Sequence, residues 1–161
     1  MDFAVIGAYA LYSYGYVRAT CDIDFLTELQ AQKSVIAFLE NLGFKTTHCS
    51  SAFSNHVHPV GSTRVDIMYV EGDTAREMFD AARNRLVFED KEVPVVCPEH
   101  LIALKLFAAK NNPNRRLRDL ADIKEIVART ELSGDTVRTL FQKYGLERYY
   151  SDATGEGARD G

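Results

Sequence analysis

The sequence predicts an α+β fold in which a mixed sheet with helices packed on it is followed by a helical segment. Over residues 1–96, short runs rich in β-branched and aromatic residues alternate with stretches of helical periodicity. Residues 97–150 carry helical patterns alone, and we expect this segment to pack on the core. Residues 151–161 are polar or small and have no apolar periodicity, so they predict a flexible tail.

Each element follows from a local pattern bounded by turn residues. The predicted strands cover 3–6, 22–27, 44–49, 53–60, 63–70, 86–89 and 93–96. The predicted helices cover 8–14, 28–42, 73–84, 98–110, 117–129 and 133–144. Thr27 is expected to be the N-cap of the second helix and Gly43 to follow its end, while Pro98 suits the first turn of the fourth.

The bulk composition excludes several classes of protein. The chain has 161 residues, of which 46% are hydrophobic and 26% charged, as in an ordinary soluble domain. No apolar run approaches the roughly 20 residues of a membrane helix, and the acidic beginning does not resemble a signal peptide. The net charge of −4 argues against a broad nucleic-acid-binding surface. Three widely spaced cysteines disfavour a disulfide framework or a zinc site and predict a cytoplasmic protein.

Two aspartates on one predicted strand are the strongest functional signal. Asp22 and Asp24 alternate with Ile23 and Phe25, so both carboxylates project from one face, with Cα atoms about 6.5–7 Å apart. Two adjacent negative charges repel, and a fold tolerates them where a cation lies between them. A solvated strand face is the alternative explanation of this pattern.

A third carboxylate occurs on a later predicted strand. Asp66 lies between Val65 and Ile67 and therefore faces the side opposite to these apolar residues. If this strand lies beside the first one, three carboxylates converge. Such a set can bind two Mg²⁺ (or Mn²⁺) ions about 4 Å apart and support in-line displacement at phosphorus.

The segments around these aspartates resemble the core motif of the polymerase-β-like nucleotidyltransferase superfamily. The similarity lies in residues 5–11, VIGAYAL, and residues 14–26, YGYVRATCDIDFL. It is closest to the minimal nucleotidyltransferases and the abortive-infection type toxins of bacterial toxin–antitoxin pairs. Those proteins carry Gly-Gly or Gly-Ser, a short helix, Gly-x-x-Arg-x-Thr, and Asp-x-Asp on the next strand. Residues 98–106 and 118–123 also resemble the helical segment that follows the catalytic core in this group.

The resemblance implies a role for individual residues and a nucleotidyltransferase core over 1–96. The implied catalytic and metal-binding residues are Asp22, Asp24 and Asp66. Gly7 would open a loop over the triphosphate, and Ala8 stands where relatives have Gly or Ser, so no hydroxyl is available there for phosphate. Arg18 would bind phosphate or pair with an aspartate of the site, and Thr20 would order the loop by hydrogen bonding.

Lys105 is also a candidate nucleotide-binding residue, with two explanations of its position. Four apolar residues on each side predict a partly buried ammonium group, which needs an anionic partner. That partner is either a nucleotide phosphate or one of Asp119 and Asp122, which lie one helical turn apart on the next predicted helix.

These features predict a metal-dependent enzyme that transfers a nucleoside monophosphate from a nucleoside triphosphate to a hydroxyl group. The acceptor could be RNA, a protein side chain or a small molecule such as an antibiotic, and the resemblance implies a toxin or antitoxin as a protein partner. One alternative is a non-catalytic binding module of such a pair, favoured by Ala8 and by the lack of the helix that usually precedes the first strand in relatives. Another is a phosphoester hydrolase that uses the same carboxylates.

Overall fold

A mixed β-sheet forms the frame of the protein. The computed structural model describes residues 2–61, 63–88 and 91–155, and over these residues the sheet has seven strands in the order β3-β4-β5-β2-β1-β7-β6. The strands are β1 (Phe3–Ile6), β2 (Asp22–Glu28), β3 (Lys45–Cys49), β4 (Phe53–Val57), β5 (Arg64–Val70), β6 (Arg83–Phe88) and β7 (Lys91–Val95). The β2–β5 and β1–β7 pairs are parallel, and the remaining pairs are antiparallel. The α+β class predicted from the sequence is confirmed.

The helices follow the predicted order. They are α1 (Gly7–Ser13), α2 (Gln32–Asn41), α3 (Gly72–Ala81), α4 (Pro98–Asn111), α5 (Arg116–Arg129), α6 (Gly134–Tyr144) and α7 (Tyr150–Thr154), with 3₁₀ turns at Leu29–Ala31, Pro113–Arg115 and Glu147–Tyr149. The chain divides into two compact units: one contains Met1–Ser13 and Val17–Cys97, the other Tyr14–Tyr16 and Pro98–Gly161. No helix among the described residues is long and apolar enough to cross a membrane.

The alternation along β5 separates a core face from a polar face. Val65, Ile67 and Tyr69 are buried and pack against Val35 and Leu39 of α2. Because successive residues of a strand point to opposite faces, Asp66 is directed away from this apolar cluster. The sheet therefore has a face on which carboxylates are not enclosed by α2.

The second helix begins later than predicted. Thr27 is not an N-cap, because it lies within β2, is 2% exposed, and its hydroxyl donates to the carbonyl of Asp2 at 2.7 Å. The strand runs on to Glu28, a 3₁₀ turn follows, and α2 starts at Gln32. Pairing of β2 with two neighbouring strands outweighs the local capping pattern, which is why the helical prediction for residues 28–31 is wrong.

Further boundaries differ from prediction, two of them in helical segments. Helix α3 ends at Ala81, and Arg83 and Asn84, which were predicted as helical, begin β6 and pair with β7. Residues 151–154, predicted as tail, complete α7, because Tyr150 and Ala153 bury their side chains at 5% and 1% exposure. The tyrosine ring also makes an edge contact with Phe141 of α6 at 5.6 Å between centroids. The rest of the predicted tail, from residue 156, lies outside the described residues.

Candidate active site

Two carboxylates lie side by side on neighbouring parallel strands. Asp24 of β2 and Asp66 of β5 are Cα partners in the register that also pairs Ile23 with Val65. Paired residues of adjacent strands project from the same face, about 4.8 Å apart in the hydrogen-bonding direction. Asp22 precedes Asp24 by two residues on the same strand and shares that face. The structure thus places all three predicted catalytic aspartates on one face of the sheet.

Gly7 lies directly beneath the carboxylate of Asp24. Its φ angle is +65°, a left-handed conformation, and a Cβ atom at this position would lie only 2.6 Å from Cγ of Asp24. Residues with a side chain are disfavoured here on both grounds. The structural role of Gly7, which the sequence predicted in a loop over phosphate, is therefore to leave space for the Asp24 carboxylate.

Asp22 has an oxygen atom that is buried without a hydrogen bond. Within the part of the chain that the structure describes, Oδ1 accepts no hydrogen bond, and the closest cationic atom recorded for it is Nε of Arg64 at 3.7 Å. A buried carboxylate oxygen normally has hydrogen-bond partners, because its removal from water costs free energy. This oxygen is therefore suited to a cation.

Thr20 orders the chain just before these aspartates. Its hydroxyl oxygen donates to the carbonyl of Asp22 at 3.2 Å and lies 3.3 Å from the backbone N–H of the same residue, which can donate to it. Such side-chain bonds to the backbone two residues on stabilise turns. The turn sets the point at which β2 begins, and with it the position of the first carboxylate.

Asp66 is held by a side chain that the sequence analysis did not select. Nδ2 of Asn55, on β4, donates a hydrogen bond to Oδ1 of Asp66 at 2.7 Å. Asn55 and Asp66 are Cα partners in the antiparallel β4–β5 pair. A signal for this residue was present, because asparagine is a poor strand former and here occupies the middle of a strand.

A small cavity lies beside the site in the first unit. It has a volume of about 220 Å³ and is lined by Ala8, Tyr9, Tyr12, Val17, Arg18, Thr20 and Val87. Three of the five predicted nucleotide-binding residues, Ala8, Arg18 and Thr20, therefore line one cavity, whereas Gly7 lies against Asp24. Two tyrosines and one arginine are thus among the residues that line the cavity.

Lys105 belongs to the second unit and forms the ion pairs that were the alternative to a phosphate contact. It is 5% exposed, and its Nζ lies 2.6 Å from Oδ2 of Asp122 and 3.4 Å from Oδ1 of Asp119. Nε of Arg115 lies 3.0 Å from the other oxygen of Asp119. Two cations and two carboxylates thus balance each other between α4 and α5. The geometry favours an anchoring role for Lys105.

The three aspartates fit a divalent cation by their chemistry, although they do not form a closed ligand set. Among the described residues, no group of three or more His, Cys, Asp or Glu side chains is arranged to hold a metal ion. Carboxylate oxygens are nevertheless the ligands that Mg²⁺ and Mn²⁺ prefer. The unsatisfied oxygen of Asp22 and the adjacent pair of Asp24 and Asp66 supply such oxygens on one face.

The mixed sheet, its packed helices and the aspartates on neighbouring strands define a protein of the nucleotidyltransferase class. Residues 4–155 match the model of a family described as "Uncharacterised nucleotidyltransferase". The chain belongs to this family. Among curated proteins, no sequence match is found.

Three solved structures show the same fold. The antibiotic-resistance factor ANT(2'')-Ia superposes with a TM-score of 0.71 at 15% identity, covering 98% of this chain and 89% of that one. The lincosamide antibiotic adenylyltransferase LnuA, bound to lincomycin, gives a TM-score of 0.56 at 19% identity over 80% of this chain and 87% of its own. A putative nucleotidyltransferase from Thermotoga maritima gives 0.53 at 14% identity over 73% and 80%. These similarities confirm the fold.

Proposed function

We propose that the protein transfers a nucleoside monophosphate from a nucleoside triphosphate to a hydroxyl acceptor, using Mg²⁺ or Mn²⁺ held by Asp22, Asp24 and Asp66. The observation that carries the proposal is the register of β2 against β5, which sets Asp24 beside Asp66. A bare Asp-x-Asp on a strand is explained equally well by a solvated face. A solvated face does not explain why a third carboxylate lies directly opposite in a protein of a nucleotidyltransferase family.

In this reaction the acceptor oxygen bonds to the α-phosphorus while the bond to the bridging oxygen of the β-phosphate breaks and pyrophosphate leaves. A divalent metal bound at these carboxylates would supply Lewis acidity, which neutralises charge on the phosphates and acidifies the acceptor hydroxyl. The carboxylates of Asp22, Asp24 and Asp66 would hold this metal and would take up the hydroxyl proton. Their place on a rigid sheet fixes the donor and acceptor relative to each other.

The cavity beside the site suits part of the nucleotide. The guanidinium of Arg18 can bind phosphate oxygens, because arginine matches phosphate geometry and remains charged. Thr20 already bonds to the backbone of Asp22, so its contribution is to position the strand. Ala8 offers its backbone and a methyl group, so it lacks only the hydroxyl that a serine at this position could direct to phosphate. In this proposal Lys105 does not contact the nucleotide; it stabilises the packing of α4 against α5 through the ion pair of its ammonium group with Asp122.

The acceptor in this proposal is a small molecule with a free hydroxyl group. Two structures with the same fold are an adenylyltransferase with lincomycin and ANT(2'')-Ia with adenylyl-2''-tobramycin, the latter with a TM-score of 0.69. A large RNA acceptor is less well matched, since the net charge of −4 disfavours binding of a long polyanion.

Transfer can be measured directly with labelled ATP, CTP, GTP and UTP and a panel of small-molecule, RNA and protein acceptors. We expect Mg²⁺-dependent label on an acceptor, and a loss of 100-fold or more in Asp24→Asn and Asp66→Asn. Asp73→Asn is the matched control, because Asp73 is exposed on α3 and pairs with Arg76. Equal transfer by wild type and Asp24→Asn would remove the assignment.

A second candidate function is a non-catalytic module of a toxin–antitoxin pair, within the minimal nucleotidyltransferase or abortive-infection toxin group. Ala8, which stands in place of a Gly or Ser, favours it. The two functions differ in nucleotide binding. A ligand that binds the native state raises stability by about 2.7 kcal/mol at 100 times its Kd. If no triphosphate raises the melting temperature in the presence of Mg²⁺, the binding module is favoured. In that case the protein would act in the cytoplasm through a protein partner.

A further inference from the structure

Asn55, Asp66 and Asp24 form one row across three strands. The β4–β5 register sets Asn55 opposite Asp66, and the β5–β2 register sets Asp66 opposite Asp24. The neighbours of Asn55 on its own strand, Ser54 and His56, are 0% exposed and lie on the other face. Asn55 therefore stands on the same face as the carboxylates, with its amide at one end of the row.

The contact between Asn55 and Asp66 has one chemical direction. A carboxylate is an acceptor, so the atom 2.7 Å from Oδ1 of Asp66 must be the Nδ2 of the amide, which donates. A hydrogen bond to a charged acceptor is short and stronger than a neutral one, and it restricts rotation of the carboxylate. The bond uses one oxygen of Asp66 and leaves lone pairs on the other oxygen available for a cation.

An amide at position 55 suits a neighbour of a metal-binding carboxylate better than a charged side chain would. A lysine or histidine at position 55 could place a positive charge where a metal must bind, whereas an aspartate would add a fourth negative charge beside Asp66. An amide holds the carboxylate without competing for it. Residues that hydrogen-bond to metal-binding carboxylates in this way typically change metal affinity 10–100-fold when they are replaced.

We propose that Asn55 is a positioning residue that fixes the carboxylate of Asp66 for divalent-metal binding. The inference rests on the proposed function, because it takes Asp66 as a metal ligand. It adds a residue from β4, a strand that contributes none of the predicted catalytic aspartates. In this arrangement Asp66 is restrained by the amide of Asn55, while Asp24, at the other end of the row, is accommodated by the missing side chain of Gly7.

The test is Mn²⁺ titration of the nucleotide-free protein, followed by electron paramagnetic resonance. Asn55→Leu keeps the number and branching of the side-chain heavy atoms and removes the donor, and Asn55→Ala removes both. Thr47→Ala is the matched control, since the Thr47 hydroxyl donates to the backbone carbonyl of Asn55 at 3.1 Å and leaves its amide untouched. We expect the apparent Mn²⁺ dissociation constant to rise about 10–100-fold in both Asn55 variants and to stay unchanged in Thr47→Ala.

The outcomes separate the two proposals. Wild-type affinity in a folded Asn55→Leu or Asn55→Ala protein overturns the role of Asn55 and leaves the metal assignment intact. Absence of Mn²⁺ binding by the wild type overturns both. Melting temperatures in EDTA provide the second readout. If both Asn55 variants fail to fold, the amide belongs to the stability of the sheet, and the positioning role is overturned.

Discussion

The carboxylate of Asp24 packs over the Cα atom of Gly7, at a point where any side chain would collide with it. We expect Gly7→Ala to destabilise the protein in two ways, through its φ of +65° and through displacement of Asp24. A left-handed alanine costs about 1–2 kcal/mol. Overpacking adds about 1–3 kcal/mol. Urea unfolding measures the sum.

Gly72→Ala separates these two contributions. Gly72 has nearly the same φ, +66°, but no atom beyond its chain neighbours and its own helix backbone lies within 4 Å of the position its Cβ would take. Gly72→Ala should lose only the unfolding free energy that comes from placing alanine at a positive φ. Gly7→Ala should therefore be more destabilising by about 1 kcal/mol or more. In an Asp24→Ala background, the difference between the two glycine variants should shrink. Equal losses of unfolding free energy in Gly7→Ala and Gly72→Ala, both with Asp24 present, would contradict the close contact between position 7 and Asp24.

Lys105 should be more important for stability than for nucleotide binding. Lys105→Met removes the ammonium and leaves Asp119 and Asp122, which are 0% and 1% exposed, with one cation fewer. Breaking a buried ion pair in this way costs about 3–5 kcal/mol. Lys124→Met, at an exposed position of α5, should change stability by less than about 0.5 kcal/mol.

The same variant tests the alternative role for Lys105. If the ammonium contacts nucleotide phosphate, Lys105→Met should retain most of its stability and lose triphosphate affinity instead. Unfolding free energy and nucleotide titration, measured on the same protein, distinguish the two roles. A stable Lys105→Met protein with weakened nucleotide binding would refute the anchoring role.

His56 should make the fold sensitive to acid. It is buried, with Nε2 2.8 Å from the Ser54 hydroxyl and Nδ1 3.2 Å from the Thr46 hydroxyl. Burial lowers the pKa of His56 below 6.5, although the charges of Glu40 and Asp66 act in the opposite direction. The unfolded state therefore binds the proton more readily, so stability falls as the pH falls through and below 6.5.

Unfolding free energies between pH 8 and pH 5 should show this loss in the wild type. His56→Gln should remove the part of the pH dependence that this imidazole contributes. His48→Gln is the matched control, because His48 is exposed on β3 and stacks on Phe53. A wild-type slope retained in His56→Gln would mean that another group is responsible.

The common face of the three aspartates could be predicted in part from local sequence. Asp22 and Asp24 alternate with apolar residues, and so does Asp66, so the side on which each projects follows from the period of a strand. The proximity of Asp24 to Asp66 does not follow from local sequence. It depends on parallel pairing between strands about forty residues apart, and a shift of one residue would reverse the faces.

The remaining features depend on tertiary context for a similar reason. The contact of Asn55 with Asp66 depends on the register of β4 against β5. The requirement for glycine at position 7 depends on how closely the Asp24 side chain approaches it. Thr27 shows the converse, since a residue with good capping chemistry was placed in a strand by its neighbours on both sides. Local patterns predicted the kinds of element well and their ends less well.

Arg18 should set the affinity for the triphosphate. Its side chain lines the cavity next to Thr20, on the loop that leads into β2. Arg18→Gln removes the charge while retaining a polar side chain, and we expect KM for the nucleoside triphosphate to rise about tenfold, which corresponds to about 1.4 kcal/mol, with a smaller effect on kcat. The wild-type KM should rise with salt more steeply than that of the variant, because salt screens a charge–phosphate contact. Arg76→Gln, on the exposed surface of α3, is the matched control and should retain wild-type kinetics. An unchanged KM and salt dependence in Arg18→Gln would show that Arg18 does not contact the phosphates.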